Sequence, residues 1–434
     1  MGMRNLVRSL SFLSATALLV FTGACTTTTA EEEGDDAFSS NQATLMTFTF
    51  ESEVNIGEDS WMSDEDAIQD HLLYTIGHLN QQKSVGRLDA VKLSKIVRRK
   101  QGDNQIVSYR AELPVAWGSK TNLPTSYKFI LPKSLSSEGR EKFAESYKKT
   151  CVDFGAHDVD SGSMWYYYRP EKKGCALAEG DVVRATATAV KSSLNTTGKY
   201  PEYNKVYEDN EVNIVAVFGK YENGKTTAAD SGISAYNQFV SAAIAKLKPL
   251  KLETLPAKVP SAPGVALPDV ELRGELADGA KIRINALLVD EVSSASPAFF
   301  ARYEALSTNA DLIAYNGHAG LGQNVRALSA HGKFKKGQYA IVFMNGCDTF
   351  AYVDGSLAEK RRQLNPDDPT GTRYMEFVTN AMPAFFSAMP TASFALISGL
   401  MDRKNPKTYD QLFETVSKNQ MIVVTGEEDN VFKP

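Results

Sequence analysis

Two short stretches of this chain place residues of catalytic type in matching settings. In DLIAYNGHAG (311–320) an apolar run stops at a glycine and presents His318; in YAIVFMNGCDTF (339–350) a second run does the same and presents Cys347. The whole chain of 434 residues has five histidines and four cysteines, so the coincidence is worth reading chemically. A thiol alone titrates at about 8.5, and an imidazole beside it can take its proton or hold it as thiolate. Backbone N–H groups at Ala319 and Gly320 could face a developing oxyanion. Nucleophile, base and oxyanion donors are the parts of acyl transfer. His331-Gly332 is a second candidate base, but it follows NVRALSA rather than an apolar strand.

The elements that would position these residues follow from hydrophobic rhythm. From 269 onward the chain reads as a strand, turn and strand (DVELRGELADGAKIRINALLVDEV), then a helix (SPAFFARYEALSTNA) and the strand DLIAYNG. GQNVRALSAHG is a short helix or loop and YAIVFMNG another strand. TRYMEFVTNAMPAFFSAM is expected to be a helix, ASFALISGLM a strand, TYDQLFETVSK a helix and QMIVVTG a strand. Strands alternating with helices imply a parallel sheet covered on both faces, with continuously apolar strands. Sites in such sheets form beyond the carboxyl ends of the strands, where His318 and Cys347 stand.

These two motifs, an apolar strand leading to histidine and a following one leading to cysteine, resemble those of the caspase-like (clan CD) cysteine peptidases. That clan includes gingipains, legumains, separases and caspases. The gingipain branch is nearest, because its histidine-to-cysteine separation is similarly short; here it is 29 positions. The resemblance covers roughly residues 280–425. It implies a caspase-like α/β domain, a peptide or protein substrate, no cofactor, His318 as general base or acid and Cys347 as nucleophile. Ala319 stands where the family has glycine, which keeps the N–H but not a glycine-only conformation. The alternative is a catalytically inactive scaffold that serves as a cell-envelope binding protein.

Ahead of this domain, residues 44–247 read as an α+β domain, and 248–268 as a linker carrying Pro249, Pro256, Pro260, Pro263 and Pro268. The expected architecture is therefore α/β: a C-terminal caspase-like domain (269–434) with a mostly parallel sheet flanked by helices, preceded by an α+β domain. His71 and His78 lie two turns apart on a helix capped by Ser63, where a half-exposed face is expected rather than a metal site. In HDVDSGSMWYYYRP, His157, Asp158 and Asp160 could bind a metal, but acidic turns commonly cap backbone groups. Its aromatic residues read as a strand under a disulfide loop or as a binding surface.

Residues 1–24 have Arg4 and Arg8, an apolar stretch and small residues, which is a secretory signal. It ends in TGAC, resembling a bacterial lipobox with Cys25 as the lipid-bearing residue. The acidic, low-complexity stretch 25–43 reads as a flexible tether. Export places the chain in an oxidising compartment, where Cys151 and Cys175 form the expected disulfide and Cys347 stays unpaired. The expectation is a lipid-anchored protein of the bacterial cell envelope, at the outer membrane. A net charge of −5 gives no basic patch for nucleic acid. The glycines of GHAGLG fit neither the dinucleotide nor the P-loop pattern, and no G-x-S-x-G occurs. Asp348 and Asp354, beside Cys347, would either favour a basic substrate side chain or cap turns.

Overall fold

The computed structural model describes residues 37–58, 62–154, 156, 159–353 and 355–434, which fall in one compact unit. Cys25 and the signal segment lie outside the described residues. Among the described residues the chain is mixed α/β, with two sheets and eleven helices.

The first sheet contains β1 (Thr44–Gly57), β2 (Val85–Gly86), β3 (Lys92–Gln101), β4 (Asn104–Trp117), β5 (Ser126–Pro132) and β6 (Val182–Lys191). Its order is β2-β4-β1-β6-β5 with β3 also on β4, and every pair is antiparallel. Strand β1 shows why: Phe48, Phe50 and Val54 are buried while Glu51 points outward, the period-2 pattern of a sheet with one covered face. Helix α1 (Asp64–Asn80) covers that face. The Ser63 hydroxyl accepts from the Asp66 N–H at 3.0 Å, and three acids fill the first turn, where the helix dipole favours them. His71 and His78 are not on a half-exposed face: both are fully buried, because α1 packs between the sheet and the following loop. Helix α2 (Ser137–Tyr147) leads into the loop closed by a Cys151–Cys175 disulfide, with Cα atoms 4.7 Å apart. Closing a loop of this length stabilises by about 3 kcal/mol in the chain-entropy model. Within the loop, Met164–Tyr167 form the short helix α3 rather than the expected strand.

The second sheet gathers β7 (Glu211–Gly219), β8 (Glu253–Leu255), β9 (Asp269–Glu275), β10 (Lys281–Val289), β11 (Leu312–Asn316), β12 (Ala340–Asn345), β13 (Met375–Asn380) and β14 (Ile422–Gly426). The order is β14-β13-β12-β11-β7-β10-β9-β8. Strands β10, β7, β11, β12 and β13 run parallel; β8, β9 and β14 pair antiparallel at the edges. Helices α4 (Tyr203–Val206), α5 (Ser231–Leu247), α6 (Pro297–Ser307), α7 (Gln323–His331), α8 (Thr349–Tyr352), α9 (Ser356–Leu364), α10 (Met389–Leu400) and α11 (Tyr409–Leu412) connect these strands.

Three boundaries differ from the sequence reading. The chain passes from one sheet to the other between β6 and β7, so β7 and α5 belong with the second sheet and not with an α+β domain ending at 247. The proline-rich stretch is not a free linker, since it supplies β8, hydrogen-bonded to β9. The stretch taken as the end of a tether is partly built in: Phe38 is buried and bridges Asn195, and Ser39 bridges Val424 of β14. A fourth difference is an exchange of type. MEFVTN, expected as helix, is β13, whose β-branched Val378 and Thr379 are buried among other strands. SFALISGL, expected as strand, lies in α10, where Pro390 stands at the first turn and Ala392, Leu396, Ile397 and Leu400 bury one helical stripe.

Alternate residues of the second sheet feed two separate cores. Val215, Ile313, Tyr315, Val342 and Met344 face the layer that includes the first sheet and α1. Ile214, Leu312, Ala314, Ile341 and Phe343 face α5 and α10. Burial on both faces explains the unbroken apolar runs that end at His318 and Cys347.

Candidate active site

The last paired residues of β11 and β12 are Asn316 and Asn345, directly opposite each other in parallel register. Each is followed by glycine and then by His318 or Cys347, so both functional side chains stand two positions past the same rung. A row of buried amides ties this rung down. Asn345 Nδ2 donates to Asn316 Oδ1 at 2.9 Å and Asn380 Nδ2, at the end of β13, donates to Asn345 Oδ1 at 3.1 Å. Gln420 Nε2 adds a bond to Asn345 Oδ1 at 2.6 Å, and Ser393 of α10 donates to Asn316 Oδ1 at 2.7 Å. Two atoms of this row, Asn316 Nδ2 and Gln420 Oε1, are buried without a hydrogen-bond partner, so the network is only partly satisfied.

Beyond the rung the two turns abut. A Cβ on Gly346 would sit 2.8 Å from the Gly317 carbonyl oxygen and 3.3 Å from the Ala319 nitrogen, so only glycine permits this approach. Ala319 has φ −65 and ψ −22, an ordinary right-handed conformation, and alanine is accommodated there without strain. Gly320 takes φ +59 and lies against the Asn324 side chain. Asp348 adopts φ 50, ψ 32, which turns the chain sharply from β12 into α8. Left-handed backbone at a non-glycine residue costs free energy and persists only where its surroundings hold it.

The His318 ring is exposed, and its backbone is held. Its carbonyl accepts from the Tyr315 hydroxyl at 2.6 Å and from Asn324 Nδ2 at 2.9 Å. Its Nε2 lies 3.0 Å from the Tyr221 carbonyl oxygen, which can only accept. That bond places the proton on Nε2 and leaves Nδ1 as the basic nitrogen. The rings of Tyr221 and Phe386 pack against the imidazole, with centroids 5.1 and 5.0 Å away. Beside it lies a cavity of about 150 Å³ lined by Tyr221, Asp290, Glu291, Tyr315 and Asn324.

Cys347 is the one free cysteine among the described residues, and it is half-buried. Its thiol donates to the Ala384 carbonyl oxygen at 3.6 Å. Burial, reinforced by the adjacent Asp348 carboxyl, pushes the thiol up to about 11. Asp348 itself is fully buried and does not face a substrate. Its Oδ1 accepts from Asn80 Nδ2, at the end of α1, at 3.1 Å, and its Oδ2 from the Tyr166 hydroxyl of α3 at 3.0 Å. Burial raises this carboxyl to about 6, partly offset by those two donors and by Arg169.

No family model, curated protein or solved structure matches this chain.

The structure thus brings His318, Ala319, Gly320 and Cys347 to one end of two neighbouring strands. His331 is elsewhere, at the end of α7, stacked on Phe300 and 3.7 Å from Glu304. Asp160 caps its own turn, accepting from the Gly162 and Ser163 N–H groups at 2.9 and 2.8 Å; His157, Asp158 and Asp354 lie outside the described residues. No group of three His, Cys, Asp or Glu able to hold a metal occurs among the described residues. No helix among them is long and apolar enough to cross a membrane. Sequence reasoning missed the asparagines at the three strand ends, although YNG, MNG and VTN repeat the signal. It also missed Tyr166, whose partner lies 182 positions away.

Proposed function

We propose that the chain is a caspase-like cysteine peptidase whose dyad is His318 and Cys347, held latent in the state described above. The observation that carries this reading is the shared register: both residues stand two positions past the Asn316–Asn345 rung of adjacent parallel strands. In the reaction, His318 Nδ1 takes the thiol proton and the Cys347 sulfur attacks a peptide carbonyl carbon. The Ala319 and Gly320 N–H groups stabilise the oxygen that becomes negative. Collapse expels the amine, which receives the proton from His318, and leaves an acyl thioester; water then attacks that thioester and restores the thiol. The Tyr221 carbonyl holds the imidazole in the tautomer this requires. We also propose that Cys25 carries lipid and fixes the protein in the bacterial cell envelope, a reading supported by the TGAC segment and the apolar stretch before it.

The second reading, an inactive scaffold that binds a partner, is favoured by the high pKa and partial cover of the thiol. Peptide cleavage separates the two. The protein is incubated with a diverse peptide library and a thiol-directed peptide probe, alongside Cys347→Ala and His318→Ala. Labelling at Cys347, with cleavage that both variants lose, supports the dyad. Cleavage that survives in Cys347→Ala removes this nucleophile.

A further inference from the structure

We propose that Asp230 is a positioning residue for the dyad, holding the His318 imidazole in place through the single peptide unit that joins Tyr221 to Glu222. The proposal rests on the reading of His318 as the base, and it adds to that base an acid from a different element.

Asp230 stands at the start of α5 and makes two sets of bonds. Its Oδ1 accepts from the N–H groups of Gly232 and Ile233, each at 2.9 Å, which caps the helix. The same carboxylate reaches back to the loop that follows β7. Oδ1 accepts from the Tyr221 N–H at 3.1 Å, and Oδ2 accepts from the Glu222 N–H at 2.8 Å. A serine could supply the cap alone; the bonds to the loop need the second oxygen. Burial by itself would raise this carboxyl, yet the four backbone donors hold it below its ordinary range, so it stands as an anion.

The bond to Glu222 has a consequence for His318. The Tyr221–Glu222 peptide is trans, and in a planar trans peptide the N–H and the C=O point in opposite directions. Drawing the Glu222 N–H onto Asp230 therefore turns the Tyr221 carbonyl away from the carboxylate. That carbonyl is the group that accepts from His318 Nε2 at 3.0 Å. One peptide unit is thus bonded at both ends, to the carboxylate on one side and to the imidazole on the other. The anion also polarises the amide, which makes its carbonyl a stronger acceptor.

Packing fixes the place where this happens. A Cβ on Gly232 would lie 2.2 Å from the Gly219 carbonyl oxygen and 2.6 Å from the Lys220 Cα, so the first turn of α5 lies directly on the end of β7. On its other side the loop is tied to Asp290, whose Oδ1 accepts from the Gly224 N–H at 2.9 Å and meets Lys220 Nζ at 2.7 Å. With the loop anchored in this way, the bonds from Asp230 set the direction of the peptide that faces His318.

Nuclear magnetic resonance tests this without requiring catalysis. Exchange of the His318 Nε2 proton with water is measured in the full, nitrogen-labelled chain at about pH 8, above the ordinary histidine range. Wild type is compared with Asp230→Asn, and His318→Ala identifies the resonance. Asparagine keeps the shape and can still cap α5 through its oxygen, but its amide nitrogen cannot accept from the Glu222 N–H. Loss of a hydrogen bond to a charged group predicts exchange about tenfold faster in the variant, with the Gly232 and Ile233 amides as protected as in wild type. Should Asp230→Asn fail to fold, Asp230→Ser, which caps the helix but is too short to reach Glu222, is read in the same way. Exchange within twofold of wild type overturns the proposal. So does a matching loss of protection at Gly232 and Ile233, because the cap and not the loop would then carry the effect. Peptide cleavage is measured in parallel. Faster exchange with a fall in kcat of about tenfold at unchanged KM supports both the positioning role and the peptidase. Faster exchange in a chain whose wild type cleaves no peptide leaves the hold on His318 standing and removes the peptidase reading.

Discussion

On acidification, two histidines that take no part in the candidate chemistry should each withdraw stability from this fold. His71 and His78 are sealed in α1, and burial holds each near 4 against an ordinary 6.5. His71 is satisfied on both nitrogens, by the Pro132 carbonyl at 2.9 Å and the Tyr109 hydroxyl at 2.8 Å. His78 meets the Tyr127 hydroxyl at 2.8 Å through Nδ1, while its Nε2 is buried without a partner in the structure. The folded state resists protonation and the unfolded chain accepts it. The contribution of each is therefore whole above 6.5 and declines as pH falls through that value toward 4. Between pH 7.5 and 4.5 the loss amounts to about 2.5 kcal/mol per histidine. Asp348 acts in the opposite sense. Raised to about 6 in the fold, it contributes stability below 3.8 that is lost as pH rises through 6; Asp311, raised to about 8, and Glu427, raised to about 10, act in the same sense, so the raw pH profile mixes opposing effects. Subtraction separates them. Urea unfolding is measured for wild type and His78→Phe at several pH values from 7.5 to 4.5. Phenylalanine suits a site already lined by Tyr127, Phe129 and Tyr168, with ring centroids 5.3 to 6.4 Å from the imidazole. The stability gap between variant and wild type should shift by about 2.5 kcal/mol in the variant's favour across that range. Curves that stay parallel within about 0.5 kcal/mol would refute the assignment of a buried neutral His78.

Gly346→Ala should force the two turns apart, since its Cβ meets backbone rather than a yielding side chain. We expect a loss of about 1–3 kcal/mol in unfolding free energy, typical of overpacking, and any peptide cleavage by the wild type should fall about a hundredfold. Mass spectrometry of the mature N-terminus should find acylated Cys25 as the first residue. A free amine on any residue downstream would remove the anchor.

The site was more legible in the sequence than the frame around it. Apolar runs that stop at Asn-Gly announce a strand end, and that signal was enough to place His318 and Cys347 just past the ends of adjacent strands. Short apolar segments are harder, because SFALISGL satisfies a buried strand and a buried helix equally well until its neighbours are known. Pro390 and the small residues around it were the available signal for α10. Asp348 could not be assigned from its own surroundings, since the group that matters, Asn80, lies 268 positions away. The same holds for β7. Nothing local says that VNIVAVFG slides between β10 and β11, and the proline-rich stretch that looked like a boundary lies beyond it.

That insertion constrains how the molecule can be divided. A fragment begun at 269, the apparent start of the cysteine-bearing half, would lack the strand that both β10 and β11 use as partner. Two inward edges would then present unpaired N–H and C=O groups to one another across a gap one strand wide, an invitation to pair with other chains. Loss of α5 would also strip one core of Tyr236, Phe239 and Val240. A shortened version meant to carry the dyad should instead begin between β6 and β7, near Tyr200. It would then dispense with α1 and α3, leaving the Asp348 carboxyl beside Cys347 without its Asn80 and Tyr166 donors.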